Sequence, residues 1–128
     1  MSDVPYLLDT HTLLWFLDGD SKLSRGARDA ITTSRHRYVS IASLWEITIK
    51  SSLGNMRPLP PRFDGFLTTR SFTLLPITMP HLLRLQTLPH HHRDPFDRML
   101  IAQAQAERLT ILTADRAILQ YDVATRAA

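Results

Sequence analysis

The sequence predicts an α/β fold in which a parallel sheet is covered by helices on both faces. Two observations lead there. Short apolar runs at residues 6–8, 38–40, 73–77 and 110–113 alternate with longer segments of helical pattern. A chain that alternates in this way packs its strands into a parallel sheet between helical layers. The size agrees, since 128 residues with 44% hydrophobic content suit a single domain, 1–128, with one hydrophobic core.

Taken in order, Tyr6-Leu7-Leu8 is an apolar run ending at Asp9 and reads as a buried strand. Residues 10–17 are helical in pattern and stop at the turn Asp18-Gly19-Asp20. Ser24 is placed to cap a second helix running to about Ser34. After the strand at 38–40, Ile41, Trp45, Ile49 and Leu53 recur every four residues and define one helical face. Gly54 follows at a C-terminal cap position. Ser43 and Glu46 also have capping-box spacing, so the start of this helix has two candidate positions. A proline-rich break at 56–61, too short for a domain linker, precedes a helix over 61–70 and a strand over 73–77. Thr78 caps the next helix, with Pro80 in its first turn. Residues 89–93 form a loop. Asp94 then serves as N-cap and Pro95 as first residue of a long helix to Glu107. The strand at 110–113 leads to Asp115, a short helix to about Tyr121, the start of a fifth strand at Val123, and a frayed end.

The net charge is +3, and nearly all the basic residues are arginine. Arginine's planar fork bonds phosphate oxygens in pairs, so the composition permits nucleic-acid binding without requiring it. The absence of cysteine removes disulfides, thiolate zinc sites and thiol nucleophiles together. No apolar run reaches the roughly 18 residues of a membrane span. The first residues lack a basic region followed by an apolar stretch. The expected compartment is the cytoplasm, with no membrane partner.

In open parallel sheets, ligands bind beyond the carboxyl ends of the strands. Asp9 and Asp115 follow the first and fourth strands, Asp97 lies in the first turn of the long helix, and Glu46 lies early in the helix after strand two. Strand ends and helix starts share one edge of such a sheet, so the four carboxylates can converge. Close carboxylates repel, and some stay protonated unless a cation neutralises them. Magnesium and manganese favour such oxygen ligands. Either ion positions and acidifies a water and stabilises charge on a reacting phosphate, which points to phosphodiester hydrolysis. Each acid also has a purely structural use. Asp9 and Asp115 can cap the helices after them, Glu46 can complete a capping box, and Asp97 suits a helix dipole. Asp94 is read as an N-cap and kept out of the site.

Four segments resemble the motifs of PIN-domain ribonuclease toxins of the VapC family. They are Leu7-Leu8-Asp9-Thr10-His11-Thr12-Leu13-Leu14-Trp15, Ser40-Ile41-Ala42-Ser43-Leu44-Trp45-Glu46-Ile47-Thr48-Ile49-Lys50, His92-Arg93-Asp94-Pro95-Phe96-Asp97-Arg98-Met99-Leu100-Ile101-Ala102-Gln103-Ala104, and Leu112-Thr113-Ala114-Asp115. They run in the family's order and cover the chain from near Leu7 to near Tyr121. The resemblance implies a three-layer α/β/α sandwich with a central parallel sheet. It implies a magnesium- or manganese-dependent endoribonuclease, the toxin of a type II toxin–antitoxin pair, with Asp9, Glu46, Asp97 and Asp115 as catalytic and metal-holding residues. RNA is then the substrate, a small antitoxin the partner, and a homodimer the assembly. The apolar residues Trp15, Phe16, Leu44 and Trp45 are the sequence's own sign of such a dimer. The family commonly has Ser where His11 stands, which leaves Thr10 or Thr12 for a hydroxyl role.

Two other readings of the acids are a phospho-receiver or phosphatase-like domain and a non-catalytic interaction module. A receiver usually shows an adjacent acidic pair after strand one, and a haloacid-type phosphatase a second Asp where His11 stands. Among the remaining residues, His90-His91-His92 reads as a solvated loop in front of a helix, because consecutive side chains rarely face one ion and no Cys completes a zinc set. His11 is either a structural histidine or a neighbour of the site. Lys50 stands four residues after Glu46, at ion-pair spacing. Trp15, Phe16, Trp45 and Phe96 read as core rather than as base-stacking surfaces.

Overall fold

The structure is a computed structural model and describes residues 3–128. Five parallel strands, β1 (Tyr6–Leu8), β2 (Arg37–Ser40), β3 (Thr73–Leu75), β4 (Thr110–Thr113) and β5 (Thr125–Ala127), form one sheet in the order β3-β2-β1-β4-β5. The helices between them are α1 (Thr10–Asp18), α2 (Arg25–Thr33), α3 (Ile41–Ser52), α4 (Phe63–Thr69), α5 (Met79–Gln86) and α6 (Pro95–Glu107). The expected three-layer sandwich is what forms.

Alternation along the central strands creates the layers, because successive side chains point to opposite faces. Leu7 and Ile111 belong to one core cluster, with Leu100, Ile101 and Ala104 of α6. Tyr6, Leu8 and Leu112 belong to the other, with Leu13 of α1 and Ala27, Ala30 and Ile31 of α2. Leu7, Leu8, Ile111 and Leu112 are all fully buried. Burying such a side chain contributes about 1.5–3 kcal/mol relative to leaving it exposed.

The order of strands places a switch point between β1 and β4. The chain steps from β1 outward to β2 and β3, then returns to β4 on the other side. Crevices at such points receive ligands. The β1–β4 seam is fastened where it matters, since the Asp9 N–H donates to the Leu112 carbonyl (3.2 Å) and Thr12 Oγ1 donates to the same oxygen (3.0 Å).

Several expectations need correction. α3 begins at Ile41, where Ser40 caps it by accepting from the Ala42 N–H (3.0 Å). Ser43 and Glu46 therefore lie inside the helix and form no capping box. β3 stops at Leu75, because Pro76 has no N–H for the ladder. α4 starts at Phe63, after Arg62 adopts a left-handed backbone with φ 62°. The segment after Asp115 is a single 3-10 turn, Ile118–Gln120. The C-terminal residues are not frayed. β5 starts at Thr125 rather than Val123, pairs with β4, and is extended by the Ala128 N–H donating to the Thr113 carbonyl (3.1 Å).

Trp45 is not core either. It is 55% exposed, and Ile41, Ile49 and Leu53 on the same helical face are exposed too. Its ring still meets Phe96 edge-on at 5.1 Å. Trp15, Phe16 and Leu44 instead pack against the second core cluster. Among the described residues, no helix is long and apolar enough to cross a membrane.

Candidate active site

Asp9 follows β1 directly and caps α1, its Oδ1 accepting from the Thr12 N–H (2.9 Å). Asp115 lies two residues beyond β4 and accepts from the Ala117 N–H (2.9 Å). Asp94 caps α6 through the N–H groups of Phe96 and Asp97 (2.9 and 3.0 Å), which puts Asp97 in the first helical turn. The structural uses foreseen for Asp9, Asp94 and Asp97 are thus real, whereas Asp115 holds a local turn and does not cap the 3-10 segment after it. These local backbone bonds are also the means by which carboxylates are held at one edge of the sheet.

Asp9, Glu46, Asp94, Asp97 and Asp115 all line one cleft of about 390 Å³, together with Thr10, His11, Trp15, Lys22 and Lys50. All four acids chosen from the sequence therefore share one opening. Asp94, set aside as a cap alone, lines it as well.

The acids are not equivalent. Glu46 is buried and its two oxygens are engaged, Oε1 by Thr10 Oγ1 (2.6 Å) and Oε2 by Lys50 Nζ (2.5 Å). The bond to Glu46 holds the Lys50 ammonium above its ordinary pKa despite partial burial, and Asp94 and Asp97 add to the effect. Among the described residues Asp97 has no lysine or arginine partner. Burial first, then the charges of Asp94, Asp115 and Asp9, push its carboxyl from an ordinary 3.8 to about 8. Asp115 is also close enough to hydrogen-bond the protonated form.

Among the described residues, no group of three His, Cys, Asp or Glu side chains is arranged to enclose a metal ion as it stands. The chemistry of the donors does fit a hard divalent cation. Every candidate donor is a carboxylate oxygen, and the charge around Asp97 is uncompensated. Such an ion would offset the burial and the like charges that together raise the Asp97 carboxyl.

Thr10, not Thr12, brings its hydroxyl to the cleft, since Thr12 is committed to the β1–β4 seam. His11 is an exposed member of the cleft lining, its ring 6.1 Å from that of Trp15. The His90-His91-His92 run corrects another expectation. His90 and His91 are exposed, but His92 is half-buried. Its Nδ1 lies 2.8 Å from the Tyr121 hydroxyl and its Nε2 3.3 Å from Asp97 Oδ2. Lys22 escaped notice in the sequence. Its signal was compositional, because Lys22 and Lys50 are the sequence's two lysines and both line the cleft.

The comparisons agree with this architecture. A chain in the crystal structure of VapBC2 from Rickettsia felis bound to a promoter DNA fragment superposes with a TM-score of 0.70 at 12% identity, covering 98% of this chain and 99% of that one. DNA-bound VapBC from Salmonella typhimurium gives a TM-score of 0.67 at 15% identity, covering 97% and 98%. A toxin-antitoxin complex from Klebsiella pneumoniae gives 0.58 at 18%, covering 86% of each chain. At these identities the likeness is one of fold. No curated protein matches the chain. A family model described as PIN domain matches residues 6–124, so the acidic cleft and strands β1 to β4 fall within one family match, and the chain belongs to the PIN domain family.

Proposed function

We propose that the protein is a metal-dependent endoribonuclease, the toxin of a toxin–antitoxin pair. The observation that carries the proposal is the cluster of Asp97, Asp94, Asp115 and Asp9 at the switch point, where burial first and then the neighbouring charges push the Asp97 carboxyl up to about 8. A group shifted this far in a cleft marks a functional site more often than a structural one. Membership in the PIN domain family sets aside the receiver and phosphatase readings.

Asp9, Glu46, Asp97 and Asp115 are the residues to hold magnesium or manganese, and the ion would supply an acidified water and charge neutralisation on the scissile phosphate. The chain's own groups prepare the rest. Thr10 and Lys50 fix Glu46 in one orientation. Lys22 and Lys50 place positive charge on the cleft lining, where an RNA phosphate must pass the acids.

The partner is a small antitoxin, a reading supported by the toxin-antitoxin complex among the structural neighbours. A segment of it that folds on binding can bring an arginine to the carboxylates. The homodimer is now best supported by the exposed α3 stripe of Ile41, Trp45, Ile49 and Leu53.

Cleavage of total RNA by purified protein, with and without manganese and with mapped ends, tests the nuclease. Metal-dependent cuts that vanish in Asp97→Asn are expected. No cutting by the wild type under any metal would leave a non-catalytic module. Co-purification from the native host, with a small partner expected, tests the antitoxin.

A further inference from the structure

Asp97 needs something to hold it. It sits among like charges, its side chain is only 15% exposed, and among the described residues its one hydrogen bond to a group other than a carboxyl is from His92. A carboxylate in that position is free to turn away from its neighbours unless an N–H fixes it.

What fixes His92 is a chain of bonds reaching into the core. Arg98, one residue after Asp97 on α6, is buried and has no carboxylate partner among the described residues. Its Nη1 donates to the Pro89 carbonyl (2.8 Å) and to the Tyr121 hydroxyl (3.0 Å). Its Nη2 donates to the Leu88 carbonyl (3.4 Å). A guanidinium has donors only and does not lose its proton in proteins. The Tyr121 oxygen therefore accepts from Arg98, and it accepts from the His92 backbone N–H as well (3.3 Å). The one hydroxyl proton is left to donate, and His92 Nδ1 stands 2.8 Å away to receive it. With Nδ1 an acceptor, the neutral ring carries its proton on Nε2, facing Asp97 Oδ2. Every link is directed the same way, from a permanent cation to the acid. Tyr121 also clamps the loop sterically, its ring meeting those of His91 at 4.8 Å and His92 at 5.4 Å.

We propose that His92 is a positioning residue that holds the Asp97 carboxylate in its working orientation, and that Tyr121, polarised by Arg98, selects the histidine tautomer able to do so. This rests on reading Asp97 as part of the working site. The geometry itself does not depend on that reading, and so none of the three measurements needs activity and two of them need no metal.

Nitrogen-15 correlation spectra of the imidazole rings, at mildly alkaline pH, should show His92 with its proton on Nε2 in the wild type and a mixture of tautomers in Tyr121→Phe. Side-chain coupling constants should report one Asp97 rotamer in the wild type. They should report averaging in His92→Ala and a return toward one rotamer in His92→Gln, whose amide can replace the Nε2 donor. Manganese affinity, measured by the signal of the free ion, should fall about tenfold or more in His92→Ala and recover in part in His92→Gln. Tyr121→Phe keeps the buried ring, and an unchanged far-ultraviolet spectrum would establish that it folds. A proton on Nδ1 in the wild type overturns the proposal. So does an Asp97 rotamer that is the same in His92→Ala as in the wild type. If wild-type protein bound no manganese but both spectroscopic results held, the positioning would stand and the metal-dependent nuclease reading would fall.

Discussion

Glu46 and Asp97 line one cleft with side-chain exposures of 6% and 15%, yet opposite means hold them there. Glu46 has a dedicated cation, Lys50 one helical turn away, and a hydroxyl from Thr10. Its neighbours answer its charge. The Asp97 side chain is surrounded by Asp94, Asp115 and Asp9, and among the described residues its one other partner is the His92 ring. Burial alone does not decide what a carboxylate does. The local balance of charge does, and the imbalance around Asp97 marks where an added cation would be most strongly favoured.

The sharpest way to break this contrast is by activity. Asp97→Asn and Asp9→Asn should lower RNA cleavage on the order of a hundredfold or more while both proteins stay folded, as cleavage assays and circular dichroism would record. Equal cleavage by wild type and variants would dissolve the distinction.

Metal linkage comes next. Manganese at 100 times its dissociation constant should stabilise the wild type by about 2.7 kcal/mol, and the rise in melting temperature should shrink sharply in Asp97→Asn and Asp9→Asn. Without metal the dependence on pH follows from the direction of the shift. Folding raises the Asp97 pKa from 3.8 to about 8, so the folded state binds the proton more tightly. The stability this contributes is full below about 3.8 and is lost as pH rises to about 8. The metal-free melting temperature should therefore fall over that range more steeply in the wild type than in Asp97→Asn. Parallel curves for the two proteins would show that Asp97 carries no such strain.

Smaller effects separate the other members. Lys50→Met leaves the buried Glu46 without its cation and should destabilise the fold by about 1 kcal/mol, read from denaturant unfolding. Thr10 limits the loss by keeping its own bond. Asp94→Asn should change stability by only a few tenths of a kcal/mol, because Asn caps a helix about as well as Asp. It should nonetheless lower the pKa of Asp97, since one like charge has gone, and carboxyl carbon shifts followed through a titration would show it.

The sequence revealed much of this wherever the determinants are local. Asp94-Pro95 announced the start of α6 because N-cap and first-turn chemistry are complete within four residues. Asp9, Glu46, Asp97 and Asp115 could be placed on one edge because alternating strands and helices fix which ends share it. The same local rules misled where two sites satisfied them. Ser43 and Glu46 had the spacing of a capping box, but Ser40 already did the capping. Trp45 shares a four-residue period with Ile41, Ile49 and Leu53, and periodicity says which residues share a face without saying whether that face is covered. His92 was read as solvated because its partners cannot be seen in its own segment. Tyr121 lies 29 residues away, after a sheet strand. β5 is three residues long and on the sheet edge, too short for any period to show.

The β1–β4 seam has a consequence in time. Thr12 and the carbonyl it grips are 100 residues apart in sequence, and the contacts between β1 and β4 are the last of the central pairings to become possible as a chain grows. Non-local contacts of this span slow folding, because the loop between them must close first. During synthesis Asp9 emerges early, but it has no Asp115 to face until β4 and the residues after it have left the ribosome. An incomplete chain therefore lacks the assembled cleft, and a ribosome that stalls short of β4 releases a fragment without it. The assembled carboxylates thus appear only after β4 has been translated, and the latency is written into the order of the strands.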